Sequence, residues 1–293
     1  NCHSQLLIQY LKLMLSLNPK EMASRVFYSY MTSSVAPRPI AFASTIDTEG
    51  RVNLSPFSFF NIVGIDPPLL VFSPNNRGRD NSKKNTTENI EAFPEVVINL
   101  VDYNMVQQMS LASCEFPKGT NEFTKAGFTE QSSLMVTPPR VKEAPVQFEC
   151  KVIDLKSYGS ANIAICEIVM AHISEDLLDE HNKIDQLKTD WVARMGADWY
   201  ARITPQAMFE VPKPNVHLGV GVDSIPALVK QSSIFDGNDL GKLGNESSLP
   251  EEVDIQTFLL NLEVEPSLHL AKKYLDENKI REAWAVILGL KLM

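Results

Sequence analysis

The chain has 293 residues, is 44% apolar, and carries a formal net charge of −9 from 27 basic and 36 acidic residues. Such a length suits one large domain or one domain with an appendage, and the apolar share suffices for a buried core. The acidic balance argues against a nucleic-acid partner, which calls for a basic face. No apolar run is long enough to cross a bilayer, so no membrane partner is expected. Four cysteines (Cys2, Cys114, Cys150 and Cys166) form no CxxC pair. Zinc and thioredoxin chemistry are therefore not expected, and Cys150 and Cys166 read as small buried hydrophobes of a reduced, cytoplasmic protein.

In chain order, residues 1–21 read as an N-terminal segment. Its apolar run Leu6–Leu17 lacks the basic flank and small-residue cleavage site of a signal peptide, and the residues ahead of Met14 read as upstream or appended sequence. Ile40, Phe42, Ser44 and Ile46 alternate with Ala41, Ala43 and Thr45, the period of two of a strand. Thr48–Arg51 predicts a turn around Gly50. Leu69–Ser73 predicts a short strand launched by Asp66-Pro67-Pro68, and Val96–Val101 a strand buried on both faces. Gln147–Leu155 and Ala161–Ile173 predict a hairpin turning at Tyr158-Gly159-Ser160. Helices are expected over Lys84–Phe93, Tyr103–Ala112 and Asp176–His181. Many strands with few helices predict a mainly β fold, a barrel rather than alternating βαβ units. Val211-Pro212-Lys213-Pro214 reads as a stiff linker. Beyond it, residues 215–293 hold 12 acidic and 7 basic residues. Ser267–Leu290 has helical apolar spacing, with Ser267 as its N-cap. The expected organisation is thus a main domain over 22–211 and an acidic, helical extension over 212–293.

Three segments carry groups that bind a flat, polar-edged ligand with a phosphate tail. Arg38, Ser44 and Thr45 lie on or beside the first strand. Asn53, Ser55 and Ser58 follow, interleaved with Phe57, Phe59 and Phe60. Arg77, Arg79, Lys83, Lys84, Thr86 and Asn89 form a dense cationic cluster with hydroxyls. A phosphate wants cations, hydroxyls and backbone N–H groups; a ring edge wants amides and its faces apolar cover. Each segment also has a plain structural reading, as turn, core or solvated loop. Other chemistries fit poorly. No GxSxG elbow or P-loop is present, the histidines lack metal-ligand spacing, and Leu218-Gly219-Val220-Gly221-Val222 reads as a turn. His172 reads as a packed or surface histidine. Glu122, Glu143 and Glu149 read as surface or strand-edge carboxylates, with Glu122 also able to approach a bound ligand.

The succession APRPIAFASTID, NLSPFSFFN, DPPLLVFS, then R-x-R-x4-KNT-x2-NI resembles the flavin reductase family. So do FPKGTNEFTKAGFT, VTPPRVKEAPVQFECKV and VARMGADWY further on, and the resemblance runs over roughly residues 22–210. It implies an FMN-binding split β-barrel with peripheral helices, and a homodimer with FMN at the interface. FMN would be lined by Arg38, Pro39, Ile40, Ala41, Ser44 and Thr45, then by Asn53, Leu54, Ser55, Ser58, Phe59 and Phe60. Arg79, Lys84 and Thr86 would hold its phosphate, and Arg194, Gly196 and Tyr200 would lie near the flavin. The family's usual Lys-Asp-Thr stands here as Lys84-Asn85-Thr86, and its paired glycines as Gly196-Ala197. The implied activity is reduction of flavin by NADH or NADPH, with no side chain acting as acid or base and no metal. A flavoredoxin-like electron-transfer protein with a protein donor, or a non-catalytic flavin binder, are the alternatives. The extension would wrap the barrel and complete the dimer, or recruit a partner such as a flavin-dependent monooxygenase.

Overall fold

A computed structural model describes residues 14–211 and 218–292, with the side chains of 291 and 292 left aside. The expectations for the Leu6–Leu17 run and for Pro212–Pro214 therefore fall wholly or partly outside the described residues. The chain divides into two compact units, one ending at Phe209 and one beginning at Glu210. Among the described residues all the strands lie in the first unit and the second is helical, a mixed sheet-and-helix structure. Among the described residues, no helix is long and apolar enough to cross a membrane.

The first unit opens with α1 (Ser24–Ser34). There follow β1 (Ala41–Ile46), β2 (Val52–Phe57), β3 (Phe60–Gly64), β4 (Leu69–Phe72), α2 (Asn85–Ala92) and β5 (Glu95–Asn99). After α3 (Val106–Leu111) and α4 (Glu122–Ala126) come two short strands, β6 (Glu130–Gln131) and β7 (Arg140–Val141). The long hairpin of β8 (Val146–Tyr158) and β9 (Ala161–Ile173) leads to β10 (Val192–Arg194) and β11 (Tyr200–Arg202). Seven strands form one antiparallel sheet in the order β2-β1-β5-β8-β9-β4-β3.

That order forces curvature. A flat sheet of seven strands would set its edges about 29 Å apart, at ~4.8 Å per neighbour. Yet the two edge strands are joined by Ser58 and Phe59 alone, a link that reaches no more than about 11 Å. The sheet therefore curls until its edges meet.

Curling buries both faces of the central strands. The period-two pattern of β1 predicts one wet face, but all six of its residues are buried. Ile40 and Phe42 enter one core cluster with Leu54, Met109, Phe123 and Phe128. Ala41 and Ala43 enter a second with Phe57, Phe72, Ile98, Cys150 and Cys166. β5 is likewise buried throughout, as its apolar run predicts. The turn between β1 and β2 is held by Asp47, whose carboxylate accepts from the N–H groups of Glu49 and Arg51.

The β8–β9 hairpin and the helix at α2 appear where the sequence places them. The expected helix over Asp176–His181 does not form. A 3-10 turn covers Glu175–Leu177, and Asp179 then accepts from the N–H groups of His181 and Lys183, closing a loop instead. The reading of Glu149 as a surface or strand-edge carboxylate is also corrected. Glu149 is fully buried, accepting from the N–H groups of Leu134 (2.8 Å) and Met135 (2.6 Å) and bonding His172 at 2.7 Å. This bond makes His172 a packed histidine.

The second unit has its own core. It holds α5 (Ala227–Lys230), α6 (Gly237–Gly244), α7 (Glu252–Leu260), α8 (Leu268–Asp276) and α9 (Ile280–Leu292). Trp284 is fully buried and donates its indole N–H to the Leu243 carbonyl at 3.0 Å. Ser267 caps α8 by accepting from Leu270 N–H. The helical spacing of Ser267–Leu290 is divided in two, because Asn278 adopts φ +58° and reverses the chain between α8 and α9.

Burial pushes the Glu149 carboxyl up, but the Leu134 and Met135 N–H groups and His172 more than offset it, leaving it below the usual carboxylate range. A depressed carboxylate contributes stability that is present above its unfolded pKa and lost as pH falls through its folded pKa. Glu149→Gln keeps the shape, loses the charge-assisted bonds, and should cost about 2–3 kcal/mol at neutral pH. Urea unfolding of both proteins across pH 3–7 should show the gap closing towards acid; a constant gap would refute the assignment.

Candidate functional site

Ser58 and Phe59, the two residues between the edge strands, open onto a cavity of about 1000 Å³. α1 contributes Arg25 and Tyr28, and the loop after β4 contributes Ser73 and Asn75–Arg79. Ser160 at the hairpin tip, Lys84, Glu115 and Arg194 complete the wall. Its cations are Arg25, Arg77, Arg79, Lys84 and Arg194, against the single carboxylate of Glu115. A smaller recess of about 40 Å³ shares Arg77, Lys84 and Glu115 and adds Asn53, Ser55, Asn85, Thr86 and Glu122.

Lys84 is the N-cap residue of α2, so its backbone is extended while the chain beyond it turns helical. The ammonium lies 5.1 Å from the centre of the Phe57 ring. Burial lowers its pKa; nearby Glu115 opposes that shift and Arg77 adds to it. Among the described residues no carboxylate lies within ion-pair distance of it, although many other lysines and arginines of the chain have one.

The start of α2 is tied to the sheet. Asn53 donates to the Thr86 hydroxyl at 3.0 Å, and Asn89 donates to the Thr45 hydroxyl at 3.0 Å, both buried. Arg77 donates to Asn85 Oδ1 at 3.1 Å and to the Lys83 carbonyl, folding the cationic loop onto the helix start. Asn162 on β9 donates to the Pro74 carbonyl and to Asn76 Oδ1, fixing the other end of that loop. Tyr28 meets Phe59 edge to face, centroids 6.4 Å apart.

The structure brings Asn53, Ser55, Ser58, Phe59, Arg79, Lys84, Thr86 and Arg194 to the two cavities. The side chains of Arg38, Ser44 and Thr45 are committed elsewhere. Arg38 is buried and donates to the carbonyls of Thr32, Val35 and Met195, with its Nε unpartnered among the described residues. Ser44 donates to the Pro139 carbonyl, and Thr45 holds Asn89. Ile40, Ala41 and Leu54 are core residues, and Phe60 packs against the second core cluster. Pro39 is exposed, and Tyr200 lies beneath the Arg194 guanidinium at 4.6 Å. Glu122 is not a surface carboxylate: it is 5% exposed and accepts from Leu54 N–H at 3.0 Å. Sequence reasoning did not single out Tyr28, Ser73, Asn75, Asn76, Glu115 or Ser160. Only the Ser-Pro-Asn-Asn run after a strand hints at a structured loop there, and it reads equally as a plain turn.

Residues 32–188 match the family model described as a flavin reductase like domain. A curated relative, an uncharacterized protein of Aquifex aeolicus, is 35% identical over 192 residues, covering 66% of this chain and 97% of that one. The solved structure of nitrilotriacetate monooxygenase component B from Bacillus cereus is 28% identical, with a TM-score of 0.63 over 68% of this chain and all of that one. A Shewanella frigidimarina protein described by its split barrel domain aligns with a TM-score of 0.58 at 23% identity, over 68% of this chain and all of that one, which establishes the split-barrel fold.

The Gly196-Ala197 pair has a backbone explanation. Ala197 sits at φ +48°, the left-handed region that favours glycine. A Cβ on Gly196 would come within 2.2 Å of the Ser33 hydroxyl and 3.1 Å of its Cα. Ala197→Gly should therefore stabilise the fold by up to about 1 kcal/mol, relief of left-handed strain outweighing the added chain entropy. Gly196→Ala should destabilise it. Equal thermal midpoints for Ala197→Gly and the parent protein would contradict the first expectation.

Proposed function

The chain belongs to the flavin reductase-like family, and on that premise we propose that it is an FMN-binding oxidoreductase reduced by NADH or NADPH. The observation that carries the reading is the cation-rich cavity at the barrel's split. In an acidic chain, five cations converge on one wall, and Lys84 among them has no carboxylate partner. A phosphate monoester supplies the missing anion. The donor set fits: Lys84, Arg77 and Arg79 for charge, Asn53, Ser55 and Thr86 for hydrogen bonds, and Phe57, Phe59 and Tyr28 for apolar cover of a flat ring.

A bound FMN would supply the redox chemistry, hydride and electron transfer, at this site. The protein's own work is positioning and exclusion of water. Lys84 anchors the phosphate end, and the Ser58–Phe59 junction presents a hydroxyl and a ring towards the flavin. Arg38 acts at a distance. Its backbone pairs with Arg194 (N–H to carbonyl 3.0 and 2.8 Å) and its guanidinium holds the Met195 carbonyl, so it sets where Arg194 reaches the cavity. No side chain is assigned as a general acid or base. A homodimer, and delivery of reduced flavin to a monooxygenase partner, extend the same reading; the likeness to nitrilotriacetate monooxygenase component B supports the second.

An anaerobic visible spectrum of FMN-loaded protein tests the reading. Bleaching of the flavin band on adding NADH or NADPH is expected. A bound flavin that does not bleach would replace the nicotinamide donor with a protein donor, and no bound flavin would end the reading.

Lys84→Ala should weaken FMN binding roughly tenfold to a hundredfold, the worth of a charge-assisted bond, and leave riboflavin binding unchanged. The pH dependence follows from the sign of the shift. The free ammonium has a lowered pKa and a bound phosphate raises it. FMN affinity should therefore fall as pH rises through the free pKa and level off above the bound one. A shallower alkaline limb in Lys84→Ala than in the parent protein, followed by flavin fluorescence quenching, is the check.

A further inference from the structure

Glu122 is a buried carboxylate that the proposed function does not use. It begins α4, capped by Asn121, whose side chain accepts from the N–H groups of Phe123 and Thr124. This places its carboxylate against β2, where one oxygen accepts from Leu54 N–H. Leu54 sits between Asn53 and Ser55, and all three of Asn53, Ser55 and Glu122 border the 40 Å³ recess beside Lys84. The charged and titratable groups facing this recess are Lys84 and Arg77, Glu115 and Cys114, and no ion pair joins any of them to Glu122 among the described residues. A carboxylate 5% exposed, with backbone N–H groups but no paired cation among the described residues, is an expensive arrangement when ionised.

We propose that Glu122 shares one proton with the phosphate of the bound flavin nucleotide, acting as a hydrogen-bond donor in the anion subsite rather than as a charge. This rests on the reading of the recess as the phosphate end of an FMN site. An ionised Glu122 beside a phosphate dianion would repel it across a small recess. With one proton between them, the pair carries one negative charge less and gains a short charge-assisted bond. Burial already pushes the Glu122 carboxyl up, the Leu54 N–H and Glu122's own N–H opposing that only in part. The balance is simple: one proton from solvent enters the complex with each nucleotide, and no bond other than the hydrogen bond forms or breaks. The proton sits on the carboxyl or the phosphate oxygen, and the count is the same.

The consequence is a proton linkage specific to the phosphate. Above the second phosphate pKa, about 6, and above the free Glu122 pKa, FMN binding takes up one proton through this pair. Its dissociation constant then rises about tenfold per pH unit. Glu122→Gln keeps an acceptor for Leu54 N–H and offers an amide donor to the phosphate without needing a proton.

The experiment measures proton uptake by calorimetry in buffers of different ionisation enthalpy, for FMN and for riboflavin, on parent and Glu122→Gln proteins between pH 6.5 and 8.5. Lys84 is present in both proteins, so the difference between them isolates Glu122. The proposal expects about one proton more per FMN in the parent than in the variant, and no difference for riboflavin. It also expects the variant to bind FMN more tightly at pH 8.5, by at least tenfold. Equal proton uptake in the two proteins would overturn it. So would a variant that loses FMN and riboflavin alike, since Glu122 would then be a support for β2 alone. Should the parent bind neither flavin at any pH, the FMN reading itself fails; should it bind FMN without the phosphate-specific proton, only the role of Glu122 does.

Discussion

Two residues set the terms for this structure. Ser58 and Phe59 are all that joins β2 to β3, strands at opposite ends of the sheet order. Backbone geometry allows so short a link only if the sheet closes on itself. Closure leaves a seam where the ladder is not continued, and a seam between edge strands must be covered or used. Here it is bordered by Tyr28 and Phe59 on one side and by the Arg77–Lys84 loop on another. The cavity is thus the place where the sheet's hydrogen bonding runs out.

The same closure explains the precision of the wall. β1 has no wet face, so Thr45 can be spent as a buried acceptor for Asn89, and Asn53 one strand over as a donor to Thr86. These two bonds, about three residues apart along α2, fix its first turn in both translation and rotation. Lys84 precedes that turn and has little freedom left except along its own side chain. In a water-poor setting such paired polar groups are costly to leave half-made.

Much of this was legible in the sequence. Alternation located β1, an apolar run located β5, and Gly159 between two long periodic segments located the β8–β9 hairpin. Residue type and density located the cationic loop and the Asn53–Phe59 stretch. Burial was less legible, because it depends on curvature. Nothing local distinguishes Ser44, which bonds the Pro139 carbonyl, from a serine facing a ligand. Glu122 and Glu149 look like ordinary surface acids until Leu54, Leu134 and Met135 are seen to present their N–H groups to them. Tyr28, Asn76 and Ser160 reach the cavity from three distant segments, a convergence that chain order does not encode. Asp176–His181 failed as a helix for a different reason: it has too few apolar residues to bury, and Asp179 offers its backbone a better set of partners.

Among the described lysines without a carboxylate partner, Lys84 is the one that is not exposed. Lys83 has Glu91, Lys118 has Glu88, Lys151 has Glu95, and Lys272 has both Asp239 and Asp276. With acidic residues outnumbering basic ones, a partner for one more lysine would be easy to place. Instead Lys84 is drawn out of water against Phe57, in sight of Arg77, at a cost visible in its lowered pKa. Natural sequences are consistent from local preference to global packing except where function demands otherwise. An unpaired, desolvated cation held rigidly at the seam of a closed sheet is such an exception, and what resolves it is an anion brought from outside the chain.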